Sequence, residues 1–292
     1  MKNIDDLLNI LTLDPIDSHT FSGISKTIGS PNVFGGQVLA QALHAAYQTI
    51  PSERLVHSLH SYFLLPGDLT LPITYKVTEM RNGGSFSTRR VTATQKEATI
   101  FILAASFHKE ENGHDHQEEF ENNIKQPEEL LTWTEMLEQF GDFLPSKMKA
   151  FLSIERPVDF KPVEVPNPFD PKDLPPVEEV WFKLKGDLNK ELSLSTKQEI
   201  LTYISDYNIL NAALKPHASK AHYGNTQMAS LDHSMWFFRD FDYDDWMLFS
   251  AKSPSTSGAR GFATGNIFTR DGKLIASVAQ EGLMRPKTNK LM

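Results

Sequence analysis

Residues 35–50 read GGQVLAQALHAAYQTI, and their apolar members recur as a helix requires, with Leu39, Ala42, Leu43, Ala46 and Ile50 on one face. Pro51 ends the pattern. The alanines at 40, 42, 45 and 46 keep the helix slim, which permits close approach to a neighbouring layer. The period then changes. Residues 55–65, 71–80, 86–95 and 99–108 read as strands, with breaks at Pro66-Gly67 and Asn82-Gly83-Gly84. The plan returns further along. Residues 179–185 alternate as a strand, and residues 195–214 read as one helix with Ile200, Tyr203, Ile204, Tyr207, Leu210 and Leu214 on its apolar face. Strands are expected at 229–239, 246–252, 259–269 and 274–284, the last two joined by the turn Arg270-Asp271-Gly272. A long apolar helix followed by about four antiparallel strands, present twice, predicts a duplicated α+β fold.

Prolines mark what lies between the repeats. Nine of the seventeen fall from Pro127 to Pro176. A run this dense excludes a helix or a central strand over residues 156–176, so an extended connection is expected there. Residues 110–121 are polar and charged and read as a solvated loop, while residues 127–140 have helical composition.

The 292 residues contain no cysteine, which removes disulfides, thiolate nucleophiles and zinc–thiolate sites. A net charge of −8 argues against nucleic acid as a partner. Asp5 and Asp6 interrupt the apolar N-terminal residues, which therefore make a poor signal peptide, and no apolar run is long enough for a transmembrane helix. The end, Asn289-Lys290-Leu291-Met292, only loosely resembles a Ser-Lys-Leu address. A cytoplasmic protein without membrane insertion is expected. No Gly-x-Ser-x-Gly elbow, P-loop, dinucleotide fingerprint or His-Glu-x-x-His occurs. His114-Asp115-His116 lies in the charged loop, and His57 and His60 fall on opposite faces of a strand, so no metal or other cofactor is expected.

Six stretches carry a resemblance. They are residues 33–42 (VFGGQVLAQA), 55–64 (LVHSLHSYFL), 84–91 (GSFSTRRV), 231–237 (LDHSMWF), 257–261 (SGARG) and 280–285 (QEGLMR). In this order they closely resemble bacterial acyl-CoA thioesterase II, a double-hotdog family with peroxisomal relatives, over nearly the whole chain. The resemblance implies a double hotdog: two helix-wrapping antiparallel sheets in one chain. Residues 1–110 would form the N-terminal hotdog, 111–177 the Pro-rich connecting segment and 178–292 the C-terminal hotdog carrying the catalytic residues. It implies hydrolysis of fatty acyl-CoA to fatty acid and coenzyme A, without a cofactor, by a homo-oligomer.

The family holds a water with an Asp, a Thr or Ser, and a Gln. These map onto Asp206, Ser230 and Gln280. Two departures stand out: Ser230 replaces a frequent Thr, and Phe238 stands where relatives commonly have His. The chemistry suits a thioester, whose thiol leaves as thiolate because its pKa is near ~8.5. Asp206 would act as general base, with Ser230 and Gln280 orienting the water. Attack by the carboxylate itself, through an anhydride, fits the same residues.

Gly35 and Gly36 are candidates to bring a helix-start N–H to the substrate. Arg89 and Arg260, and beside them Arg90 and Arg285, are candidates for the CoA phosphates. Phe63, Met235, Trp236 and Phe237 are candidates for the acyl slot. The first-half helix contains no acid, so one working site per chain is expected. An enoyl-CoA hydratase on the same fold would pair an Asp with a His in a hydratase motif, which is absent around Asp206. A non-catalytic acyl-CoA sensor would have lost the acid, the hydroxyl or the amide, and all three are present.

Overall fold

A computed structural model describes residues 1–120, 123–187 and 191–287; the C-terminal tetrapeptide lies outside them. The first half contains helices α1 (Ile4–Leu11) and α2 (Gly35–Tyr47). Its strands are β1 (Asp14–Asp17), β2 (Thr20–Gly23), β3 (Arg54–Phe63), β4 (Ile73–Asn82), β5 (Phe86–Gln95) and β6 (Ala98–Lys109). The middle holds α3 (Trp133–Phe140), α4 (Ser146–Leu152) and β7 (Val158–Pro162). The second half has β8 (Val177–Leu184), α5 (Leu194–Ser205), α6 (Asn211–Leu214) and β9 (Thr226–Ser230). It closes with β10 (Asp232–Phe237), β11 (Met247–Ser257), β12 (Arg260–Thr269) and β13 (Leu274–Pro286).

One antiparallel sheet runs β1-β2-β4-β5-β6-β3-β10-β13-β12-β11-β8-β7, with β9 added beside β13. The halves join where β3 pairs with β10, in the register His233 opposite Ser61 and Met235 opposite Leu59. The α+β duplication is therefore present, with one long helix preceding the main strands of each half. Helix α2 lies on β4, β5 and β6, and α5 packs against α2 and β3. The alanines of α2 at 40, 42, 45 and 46 are fully buried, which lets the backbones of the two helices come close.

The two helices run antiparallel. At one end the Tyr47 hydroxyl donates to Gln198 Oε1 at 2.5 Å, and His44 Nδ1 lies 3.2 Å from Glu199. At the other, the start of α2 meets the end of α5.

Several expectations are corrected. The helix read over residues 195–214 is broken after Ser205. Asp206 caps it, Asn208 adopts a left-handed backbone (φ 66), and α6 starts afresh. Asn tolerates that conformation, so the apolar face continues across a turn that periodicity cannot reveal. The strand read over 229–239 likewise breaks at Leu231 into β9 and β10. The proline-rich connection agrees with its reading: its strand, β7, is not central but lies at the outer edge of the sheet, where a missing N–H is tolerated. Residues 4–11, read only for targeting, form an amphipathic helix whose Ile4, Leu7, Ile10 and Leu11 are buried. Burial of each such side chain contributes about 1.5–3 kcal/mol. Among the described residues, no helix is long and apolar enough to cross a membrane.

Candidate active site

The break after α5 places Asp206 at the helix C-terminus, facing the first turn of α2. That turn has no side-chain cap, since Phe34 occupies the N-cap. The Gly36 N–H instead donates to the Asp206 carboxylate. Absence of a side chain is what permits the approach. A Cβ on Gly36 would lie 2.4 Å from the Tyr203 carbonyl oxygen, and one on Gly35 would lie 2.6 Å from Asp206 Oδ2.

Ser230 ends β9 opposite Gly282 on β13, and Gln280 points inward from β13 where its neighbour changes from β10 to β9. The Ser230 hydroxyl donates to Asp206 Oδ1 at 3.2 Å. Gln280 Nε2 donates to Ser230 Oγ at 2.7 Å and also supports the charged form of Asp206. The three residues predicted as catalytic thus form one hydrogen-bonded group.

Asp206 retains some contact with solvent, whereas Gln280 is buried. Desolvation lifts the Asp206 carboxyl to about 6, against the opposing pull of Gln280, Ser230 and the Gly36 N–H. Aromatic rings supply the dry surroundings. Phe34 packs on Tyr203 and Tyr207 with centroids 5.2 and 4.5 Å away, and Phe63 borders Gly35.

Glu199 is the rival carboxylate on α5. It is buried against His44 at the far end of the helix pair, away from Ser230 and Gln280. Near that same end lies a cleft of about 560 Å³ whose lining includes Glu53, Glu110 and the Ser193–Ser195 turn. Its two carboxylates outnumber its one cation, Lys109, which suits it poorly to phosphates.

The other candidates separate by burial. Arg89 is a correction: it is 1% exposed, and its guanidinium donates to the Thr49, Arg81 and Thr88 carbonyls and the Thr49 hydroxyl, so it braces the sheet and is not offered to a ligand. Its inward register on β5, shared with Ser87, Val91 and Ala93, was visible in the alternation. Arg260 remains exposed, held by Glu281 at 2.9 Å. Arg90 and Arg285 are also exposed. Met235 and Phe237 face the core, but Trp236 points from the opposite face of β10 and packs on His60, so these three do not line one slot.

Sequence reasoning missed His233. It is fully buried beside Gln280, and its alternation with Met235 and Phe237 made it resemble core. Asp115 of the His-Asp-His stretch pairs with Arg239, and among the described residues no group of three or more His, Asp or Glu is placed to hold a metal.

Two family models match the chain: "Acyl-CoA thioesterase" over residues 148–283 and "Acyl-CoA thioesterase N-terminal domain" over residues 24–108. Acyl-CoA thioesterase 2 of Haemophilus influenzae is 39% identical over 97% of this chain and 98% of its own length. The chain belongs to the acyl-CoA thioesterase II family. It is therefore a thioester hydrolase. Acyl-coenzyme A thioesterase 8 of Homo sapiens is 36% identical over 95% of this chain and 88% of its own. The crystal structure of the acyl-CoA thioesterase II TesB2 from Mycobacterium marinum superposes with a TM-score of 0.76 at 33% identity, covering 96% of this chain and 98% of that one. A hot dog fold protein from Alicyclobacillus acidocaldarius, 15% identical with a TM-score of 0.74, covers 96% of this chain and 98% of its own and agrees in fold.

Proposed function

We propose that this thioesterase hydrolyses fatty acyl-CoA with a water activated by Asp206 and oriented by Ser230 and Gln280. The observation that carries the reading is the Asp206–Ser230–Gln280 group at the start of α2, with its carboxyl raised to about 6. At neutral pH such a group is ionised, yet it binds a proton more readily than an ordinary aspartate, as a general base must. Water gives its proton to Asp206 while its oxygen bonds to the thioester carbonyl carbon. The tetrahedral intermediate then collapses, the C–S bond breaks, and coenzyme A leaves as thiolate.

Gly36 gives its N–H to Asp206, which leaves the Gly35 N–H at the same helix start for the reacting carbonyl, where the dipole favours the developing negative charge. Exposed Arg260 is a cation for the CoA phosphates. The same reading takes residues 1–110 and 178–292 as the two hotdogs, with 111–177 as the connection. It allows one site per chain. Gln37 and Gln41 of α2 are spent on structure, with Gln41 bonded to the Ile10 carbonyl at 2.6 Å and to the Tyr75 hydroxyl at 2.6 Å.

Thiol release from palmitoyl-CoA, followed with a colorimetric reagent, tests the reading. Hydration of crotonyl-CoA without thiol release would count against it. Gln280→Ala is expected to lower kcat by roughly 10–10²-fold, less than loss of the base, because it disorders the water without removing the proton acceptor. Ser230→Thr should keep most of the rate, since the hydroxyl is retained, and Ser230→Ala should not. Gln280→Ala losing as much as an Asp206 variant would contradict the division of roles.

A further inference from the structure

We propose that His233 is a positioning residue: carrying its proton on Nδ1, it fixes the Gln280 amide so that the N–H bonds face Ser230 and Asp206. The proposal rests on Asp206 acting as the base. His233 Nδ1 lies 2.5 Å from Gln280 Oε1, and Nε2 lies 2.9 Å from Ser205 Oγ. Ser205 precedes Asp206 in the chain. Five side chains therefore close a ring between two consecutive residues, in the order Ser205, His233, Gln280, Ser230, Asp206.

With Asp206 ionised, the protons in this ring have one consistent arrangement. A carboxylate only accepts, so the Ser230 hydroxyl must donate to it. The Ser230 oxygen then accepts from Gln280, which turns the amide nitrogen toward the site and its oxygen toward His233. Gln280 Oε1 requires a donor, so Nδ1 bears the proton. Nε2 is left bare and accepts from the Ser205 hydroxyl. Every hydrogen bond in the series points toward the base, and bonds aligned head to tail strengthen one another.

Packing cannot choose this orientation, because the two ends of an amide have nearly the same shape. A donor on the oxygen side can. A reversed amide would set its oxygen against the Asp206 carboxylate and draw the Ser230 hydroxyl away from it. The reversed circuit also exists in outline. Ser205 Oγ is 2.9 Å from the Thr202 carbonyl, so its proton can go there while Nε2–H donates to Ser205. That circuit is satisfied only when Asp206 holds a proton and donates to Ser230. Burial of the ring, which drives His233 down to about 4, keeps the imidazole neutral and so confines it to one tautomer or the other.

The test has two parts. In the wild-type protein above pH 7, ¹⁵N NMR of labelled histidine should show the His233 proton on Nδ1; a proton on Nε2 would overturn the proposal. This measurement needs no core substitution, so it decides even where His233→Leu does not fold. In the kinetic part, His233→Leu is expected to lower kcat by about 10–10²-fold with little change in KM. His233→Asn, whose amide nitrogen falls near the Nδ1 position, should restore most of that rate. In a Gln280→Ala background, His233→Leu should cost nothing further, because its partner is gone. An unchanged kcat for His233→Leu, or a loss that multiplies with that of Gln280→Ala, overturns the positioning role while leaving the base reading intact. Full activity in Gln280→Ala would leave His233 no partner to act through and overturn this proposal, whereas full activity in Asp206→Asn would overturn the base reading, and this proposal with it.

Discussion

Replacing Asp206 by asparagine is expected to lower kcat for palmitoyl-CoA by ~10²–10⁴-fold, the usual range for losing a general base. The same substitution should make the protein more stable near pH 7.5. The carboxyl is lifted from 3.8 to about 6 by desolvation, with no charged side chain as the cause. In the unfolded chain it ionises near 3.8, whereas in the folded chain it resists ionisation until about 6. Below 3.8 both states hold the proton and nothing is lost. Stability is given up as the pH rises between the two values, and the full cost is in place above 6. A tenfold difference in proton affinity between the two states is worth ~1.4 kcal/mol, so asparagine should recover on the order of 1–3 kcal/mol at pH 7.5 and only about 0.5 kcal/mol at pH 4. Thermal denaturation at the two pH values checks this. Equal stabilisation at both would show that the carboxyl is not held above its ordinary range.

Gly36→Ala should damage fold and activity together. The added Cβ would fall 2.4 Å from the Tyr203 carbonyl oxygen, which is backbone, and 2.6 Å from Phe34 Cε1. Phe34 can turn aside, but the carbonyl moves only if α2 separates from α5. Overpacking of this kind typically costs about 1–3 kcal/mol. Separation of the helices also withdraws the Gly36 N–H from Asp206, and a displacement near 1 Å is worth about 10²-fold in rate. Gly84→Ala is the comparison, because no atom lies within 4 Å of the position its Cβ would take. That substitution should leave both melting temperature and kcat unchanged. A Gly36→Ala protein with wild-type melting and kcat would show that the helix junction is looser than its geometry.

The duplicated helix-and-strand plan was legible because apolar spacing reports the face an element buries. The strand expected over residues 86–95 has the bounds that β5 adopts, and the helix expected from Gly35 begins there. Spacing failed where the chain turns without losing its apolar face. Tyr207, Leu210 and Leu214 remain inward across the left-handed Asn208, so two helices looked like one. That hidden turn is what sets Asp206 at a helix end, facing Gly36. Arg89 misled for the opposite reason: its charge suggested a ligand, while its inward register on β5 had already committed it to the sheet. For Ser230 and Gln280 spacing carried no signal, and for Asp206 it showed only a lone acid among Ile204, Tyr207, Ile209 and Leu210, near an apolar face. A serine ending one strand, a glutamine within another and an acid after a helix become a group only through β9 pairing with β13 and α5 ending above them. Family resemblance singled them out. It did not single out His233, whose bonding becomes visible only when both of its ring nitrogens are followed to their partners.

The dependence of kcat on pH, measured for palmitoyl-CoA hydrolysis in the wild type and in Asp206→Asn, bears most directly on the base. The wild type should lose rate on the acid side with a midpoint near 6, where Asp206 takes up its proton. The asparagine variant should show only a small residual rate without that limb. An unaltered acid limb in Asp206→Asn, or a variant that keeps the full rate, would contradict the assignment of Asp206 as the group that activates water.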